Sequence, residues 1–204
     1  MSYKAYSLGF DFYNGSIGLC LPIIQNVHVL FCKLRETGLD CSISNQLRTT
    51  ALNMDVQAAL ELPDETDAFL QISDIIFDKE SSSGYEKFSD AERNFYCIDG
   101  FIRGMGNGGV AQFFYDHGHH TSDTEKALEE IKAANAIKLL QQALDCFPER
   151  RVPEDSHDRE LLVSDLEEQH GDLWARISDN FYDAETDLIK LTLKYVNKHL
   201  KSFN

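Results

Sequence analysis

Asn107-Gly108-Gly109-Val110-Ala111-Gln112-Phe113-Phe114-Tyr115-Asp116 is set inside an acidic chain whose apolar residues recur mostly at helical spacing. Asparagine caps helix starts, and paired glycines permit a positive φ or a close backbone approach. Asn107, Gly108 and Gly109 therefore read as a turn, after which Val110, Ala111, Phe113 and Phe114 begin an apolar surface with Gln112 among them. Nothing in the stretch resembles a phosphate-binding loop. It reads as a tight helix entry whose aromatics fill a core.

The flanking sequence extends this helical pattern in both directions. Downstream, Ser122 and Glu125 have capping-box spacing, and Leu128, Ile131, Ala134, Ile137, Leu140, Leu144 and Phe147 follow on one face. This predicts one helix of about six turns stopped by Pro148. Upstream, Ser89 is the expected cap of a helix from Asp90 to about Gly104, with Phe95, Ile98, Phe101 and Ile102 inward. Before it, Lys79 to Gly84, with Ser81, Ser82 and Ser83 in a row, reads as an internal linker. Ala68, Phe69, Ile72, Ile75 and Ile76 suit a further helix, and Leu47, Ala51, Met54, Ala58 and Leu62 share a face in another from Ser44 to Leu62. Beyond a polar loop at Glu149 to His157, helices are expected at about Asp158 to Gln169 and Asp172 to Phe203, separated by His170-Gly171.

The amino-terminal quarter has a different character. Asn14-Gly15 between Phe10-Asp11-Phe12-Tyr13 and Ser16-Ile17-Gly18-Leu19 is a hairpin signal, and Ile23 to Leu34 fits either a buried strand or a helix segment. The expected fold is mainly α: a multi-helix acidic domain over residues 61–204, preceded by an N-terminal extension, residues 1–60, of mixed structure.

Composition narrows the functional classes. The 204 residues include 34 acids and 19 Lys and Arg, a net charge of −15, and 43% are apolar, enough for a substantial core. The charge is uneven: residues 61–120 hold twelve acids against four bases and 121–190 hold eighteen against eight, while 1–60 are balanced. Such a surface disfavours direct contact with nucleic acid phosphates. Cys20, Cys32, Cys41, Cys97 and Cys146 are odd in number and lack C-x-x-C spacing, which points away from a disulfide framework or zinc knuckle and towards reduced thiols in a cytoplasmic protein. Leu19 to Leu34 is too polar for a membrane span, and a signal peptide is not expected because the first ten residues hold one base, Lys4, ahead of Phe10-Asp11-Phe12.

Ala91-Glu92-Arg93, the NGG-x-x-Q-F-F turn, an amphipathic helix ending Cys146-Phe147-Pro148, and a late Asp179-Asn180-Phe181-Tyr182 element together resemble the bacterial DNA-mimic protein family, over roughly Asp64 to Leu200. The resemblance implies an acidic, all-helical, non-enzymatic protein that binds a transcription regulator in place of DNA and needs no cofactor. Asn107, Gly108, Gly109, Gln112 and Phe113 would then be the structural motif.

The last helical stretch supplies candidate partner-binding residues. Trp174, Ile177, Phe181, Ala184, Leu188 and Leu191 step along one side, and Asp172, Asp179, Asp183 and Asp187 lie roughly opposite. Asp165 and Glu168 would extend that acidic surface if the preceding helix packed alongside. With the resemblance, these six carboxylates become candidate phosphate surrogates. One helix brings a carboxylate to a face about every 6 Å, whereas duplex DNA carries a charge every ~1.7 Å of axis, so several helices or a homodimer would be needed to match it.

Two other classes fit part of the pattern. One is an interaction or immunity-type protein with a different basic partner. The other is a metal-dependent enzyme using Asp116, His117, His119 and His120, with Asp123 close behind. Imidazole and carboxylate suit a metal, but the spacing matches no ligand motif, and the expectation is a polar, exposed loop.

Overall fold

The computed structural model describes residues 55–203, and those residues are mainly α-helical, with no strand among them. The expected hairpin at Asn14-Gly15, the stretch Ile23 to Leu34, and most of the helix from Ser44 lie outside the described residues. Contacts divide the chain into units at residues 1–49 and 50–204, and all described residues belong to the second.

The described residues form six α-helices: α1 (Val56–Leu60), α2 (Glu65–Ser83), α3 (Asp90–His117), α4 (Thr121–Glu130), α5 (Ala134–Leu144) and α6 (Ser156–Lys198). The principal packing is α3 against α6, with α4 on α3 and α5 on α6. Aspartates cap three of the starts. Asp55, Asp64 and Asp155 accept hydrogen bonds from the amides of α1, α2 and α6 respectively, satisfying first-turn donors and complementing the positive end of each helix.

The expected linker at Lys79 to Gly84 is helical down to Ser83. The Ser82 and Ser83 hydroxyls donate back to Lys79 O at 3.1 and 2.7 Å, so these serines serve the helix interior rather than compete with it. Gly84, at φ +84°, ends the helix. Ser89 caps α3 as expected, in a capping box with Glu92.

The decisive element is α3, which is not one rod. Gly109 has φ +75° and ψ −155°, a conformation open in practice only to glycine, and there the chain doubles back. A Cβ on Gly104 would stand 2.5 Å from Phe113 Cα, and one on Gly100 would stand 2.7 Å from His117 Nδ1. In a continuous helix, residues 104 and 113 would be ~13.5 Å apart along the axis. The NGG run therefore closes a tight helical hairpin, residues 90–108 and 110–117, whose arms meet backbone to backbone at Gly104 and backbone to the His117 ring at Gly100. Val110, Ala111, Phe113 and Phe114 are all buried. The Phe101 ring meets Phe113 edge-on at 5.0 Å and Phe181 of α6 at 5.4 Å, and Phe114 meets Phe147 at 4.5 Å. These edge-to-face and tilted pairs form the centre of the core.

The single six-turn helix expected from Ser122 to Phe147 is two helices. α4 begins at Thr121 with no side-chain cap, and a Schellman closure ends it: Ala133 N–H bonds Leu128 O at 2.9 Å, Lys132 N–H bonds Glu129 O at 3.0 Å, and Lys132 takes φ +60°. The motif normally favours glycine at that position, which hid the break from a periodicity argument. Conversely, His170-Gly171 does not separate two helices. α6 runs unbroken for 43 residues through Gly171, held by Val163, Leu166, Trp174 and Ile177, buried on either side of it.

Candidate acidic interface and groove

α6 presents two opposed faces. Val163, Leu166, Trp174, Ile177, Phe181, Ala184 and Leu188 are buried against the hairpin and its neighbours. Asp165, Glu168, Asp172, Asp179, Asp183 and Asp187 are all exposed. At 3.6 residues per turn these six fall within an arc of about 100° and run along about 33 Å of one helix. Asp165 and Glu168, expected on a neighbouring helix, thus lie in line with the other four.

None of the six forms an ion pair with a described residue. The interior acids differ. Glu92 accepts from Lys79 Nζ at 2.6 Å, and Asp99 accepts from Arg103 Nε at 3.0 Å and Ser73 Oγ at 2.8 Å. Those carboxylates hold the fold together; the α6 carboxylates are left to solvent. The stripe is not purely acidic, since Arg176 lies within the same arc and Lys190 and Lys194 continue it beyond Asp187. Lys138 of α5 lines a shallow groove together with Asp183.

Beside the stripe, the hairpin turn meets α6. Val110 N–H donates to Ser178 Oγ at 3.2 Å, and Ser178 in turn donates to Trp174 O at 2.9 Å. A Cβ on Gly109 would collide with Ser178 Oγ, so the turn seats on α6 only with glycine there. The Tyr182 hydroxyl donates to Gly106 O at 3.4 Å. A groove remains between the two, lined by Asn107 to Ala111 on one side and on the other by Glu167, Gly171, Trp174, Ala175, Ser178, Asp179 and Tyr182. Of the motif residues, Gly109 shapes the turn and Phe113 is buried in the core. Gln112 donates to Asp116 Oδ2 at 2.7 Å, one helical turn on.

Ser178 is not among the residues read from the sequence, and Tyr182 is among them only within the Asp179-to-Tyr182 element, not as a groove residue. The signal for Tyr182 was available: it is an aromatic off the apolar face, adjacent to buried Phe181.

The histidine segment is less open than expected. Gly118–His120 form one 3-10 turn, His117 and His120 are part-buried, and only His119 is exposed. The His120 ring packs on Tyr85 at 4.4 Å and on His119 at 4.0 Å. Burial, followed by the charge of His119, pushes the His120 pKa down to about 4. Burial also lowers His117 and His119, so all three favour the neutral ring. Asp116 and Asp123 are engaged with Gln112 and Lys126, and no group of three His, Cys, Asp or Glu among the described residues is placed to hold a metal ion. Burial pushes the Cys97 thiol up to about 11, which keeps it protonated and a poor nucleophile. No helix among the described residues is long and apolar enough to cross a membrane.

Searches of curated proteins and of solved structures found no match. A family model for DMP19-like proteins matches residues 86–199, more than half of the chain. The matched segment holds the whole hairpin, α4, α5 and all six exposed carboxylates of the α6 stripe. The chain therefore belongs to the DMP19-like, DNA-mimic protein family.

Proposed function

We propose that this protein is a non-enzymatic DNA mimic that presents the α6 carboxylates to the DNA-binding surface of a basic protein, a transcription regulator being the expected partner, and so competes with DNA. The carrying observation is the set of exposed carboxylates, none paired with a described residue, in one arc of one unbroken helix. Spaced three to seven residues apart, they recur every ~4.5–10.5 Å, against ~3.4 Å between phosphates on one DNA strand. Six charges thus stand over a length in which one strand carries about ten. A homodimer that set two stripes side by side would bring the charge density closer to that of the duplex.

Binding of this kind is dominated by charge and weakens steeply with salt. Reversing Asp179, Asp183 and Asp187 to Lys tests the reading, because those residues are exposed, form no ion pair with a described residue, and lie outside the buried core. Capture of a DNA-binding protein from native lysate at low salt should be lost in the triple variant while far-UV circular dichroism is unchanged. Equal capture by both proteins would remove this face from the account.

A further inference from the structure

The groove between the glycine turn and α6 has chemistry of one sign. Its lining holds two carboxylates, Glu167 and Asp179, and no basic side chain. The wall on α6 includes Tyr182, which is 54% exposed and anchored through its hydroxyl to Gly106 O. The first arm of α3 ends at this groove, where its last carbonyls and the negative end of its dipole favour a cation. The opposing amide at the start of the second arm, Val110 N–H, is already committed to Ser178 Oγ. Gly108, Gly171 and Ala175 keep the slot free of bulk. Asp179 lies three residues from Tyr182 on α6, and a carboxylate beside an exposed aromatic ring suits a planar cation better than a compact, strongly hydrated ammonium; Glu167, about 22 Å from Tyr182 along the helix, adds negative charge at the far end of the groove.

We propose that this groove receives an arginine side chain of the protein partner, with its guanidinium on the Tyr182 ring and paired with Asp179. The inference rests on the DNA-mimic reading and narrows it. Asp179 belongs to both the groove and the acidic stripe, so the arginine would anchor a basic surface whose remaining charges lie along α6. General charge attraction brings the partner to the stripe, and the groove fixes its register.

The test uses the full-length, 15N-labelled protein and a capped Gly-Arg-Gly peptide, with capped Gly-Lys-Gly as the comparison, followed by amide and indole chemical shifts. Trp174, the sole tryptophan, lines the groove and gives one unambiguous reporter. The expected result is shifts centred on Asn107 to Ala111, Ser178, Tyr182 and the Trp174 indole, with arginine binding at least threefold tighter than lysine. Tyr182→Ala and Asp179→Asn should weaken arginine binding at least fivefold, Tyr182→Phe should keep it within twofold, and Glu129→Gln, on α4 and outside both groove and stripe, should leave it unchanged. Shifts spread evenly along the exposed carboxylates, equal affinity for the two peptides, or no effect of Tyr182→Ala would overturn the proposal. Any of those results would leave DNA mimicry by the stripe standing, since that is read out separately by competition with duplex DNA.

Discussion

Gly104 and Phe113 meet backbone to backbone across the helical hairpin: a Cβ on Gly104 would lie 2.5 Å from Phe113 Cα and 2.8 Å from its Cβ. Both arms are fixed, one by its packing on α6 and the other by the turn at Gly109, so neither can retreat cheaply. Gly104→Ala should therefore destabilise the protein by ~1–3 kcal/mol, in the range of overpacked sites. Gly106→Ala, two residues on, meets nothing within 4 Å and should be neutral or slightly stabilising. Urea denaturation followed by circular dichroism distinguishes them: the midpoint drops for Gly104→Ala with the slope unchanged. Equal midpoints for the two variants would contradict the hairpin geometry.

Gly171 gives the opposite expectation. It lies in the interior of α6, with helical backbone and open space where a Cβ would go. Alanine there recovers the helix propensity that glycine forfeits, about 0.5–1 kcal/mol. Gly171→Ala should raise Tm in a thermal scan by roughly 2–4 °C per kcal/mol for a chain of this size. A fall in Tm would mean that α6 is interrupted at His170-Gly171, as the sequence alone suggests.

The histidine turn makes stability depend on pH. His120, held near pKa 4 in the folded protein, returns to the ordinary value of about 6.5 on unfolding. The folded-state value is the lower one, so protons bind the unfolded chain first, and stability present above pH 6.5 is lost as the pH falls towards 4. His117 and His119 act in the same direction. They are faced by Arg103 and Arg159, which oppose protonation, and His117 and His120 also by Asp116 and Asp123, which favour it. Burial raises Asp74, Asp99 and Glu185, which has the opposite sign, so wild type is best compared with His120→Gln, where those contributions cancel. Between pH 6.5 and 4 the wild type should lose on the order of 1 kcal/mol relative to the variant, a magnitude reduced by the half-exposed ring. Parallel stability curves would show that the ring titrates normally.

Much of this architecture was legible before the structure, and the exceptions have specific causes. The cap at Ser89, the burial of Phe113 and Phe114, and the opposed faces of α6 followed from side-chain chemistry and period alone. The turn at NGG was legible as a turn, but its consequence was not, because nothing local says that Gly100 and Gly104 are spaced to receive the returning arm. Helix breaks were misplaced in both directions. Lys132 ends α4 in a conformation that usually calls for glycine, and Gly171 sits in mid-helix where glycine usually signals an end. In both places tertiary packing overrides propensity. The exposed α6 carboxylates could be listed from the sequence, but their lack of ion pairs with described residues, which separates them from Glu92 and Asp99, is a property of the folded molecule.

Competition with DNA tests the central claim most directly. A DNA-binding protein captured from native lysate at low salt should be released from the immobilised chain by duplex DNA in a concentration-dependent manner, with release also promoted by salt, and the Asp179, Asp183 and Asp187 to Lys variant should capture none. Retention of the bound protein in the presence of excess duplex would contradict the account, because the carboxylates of α6 would then not be standing in for phosphates.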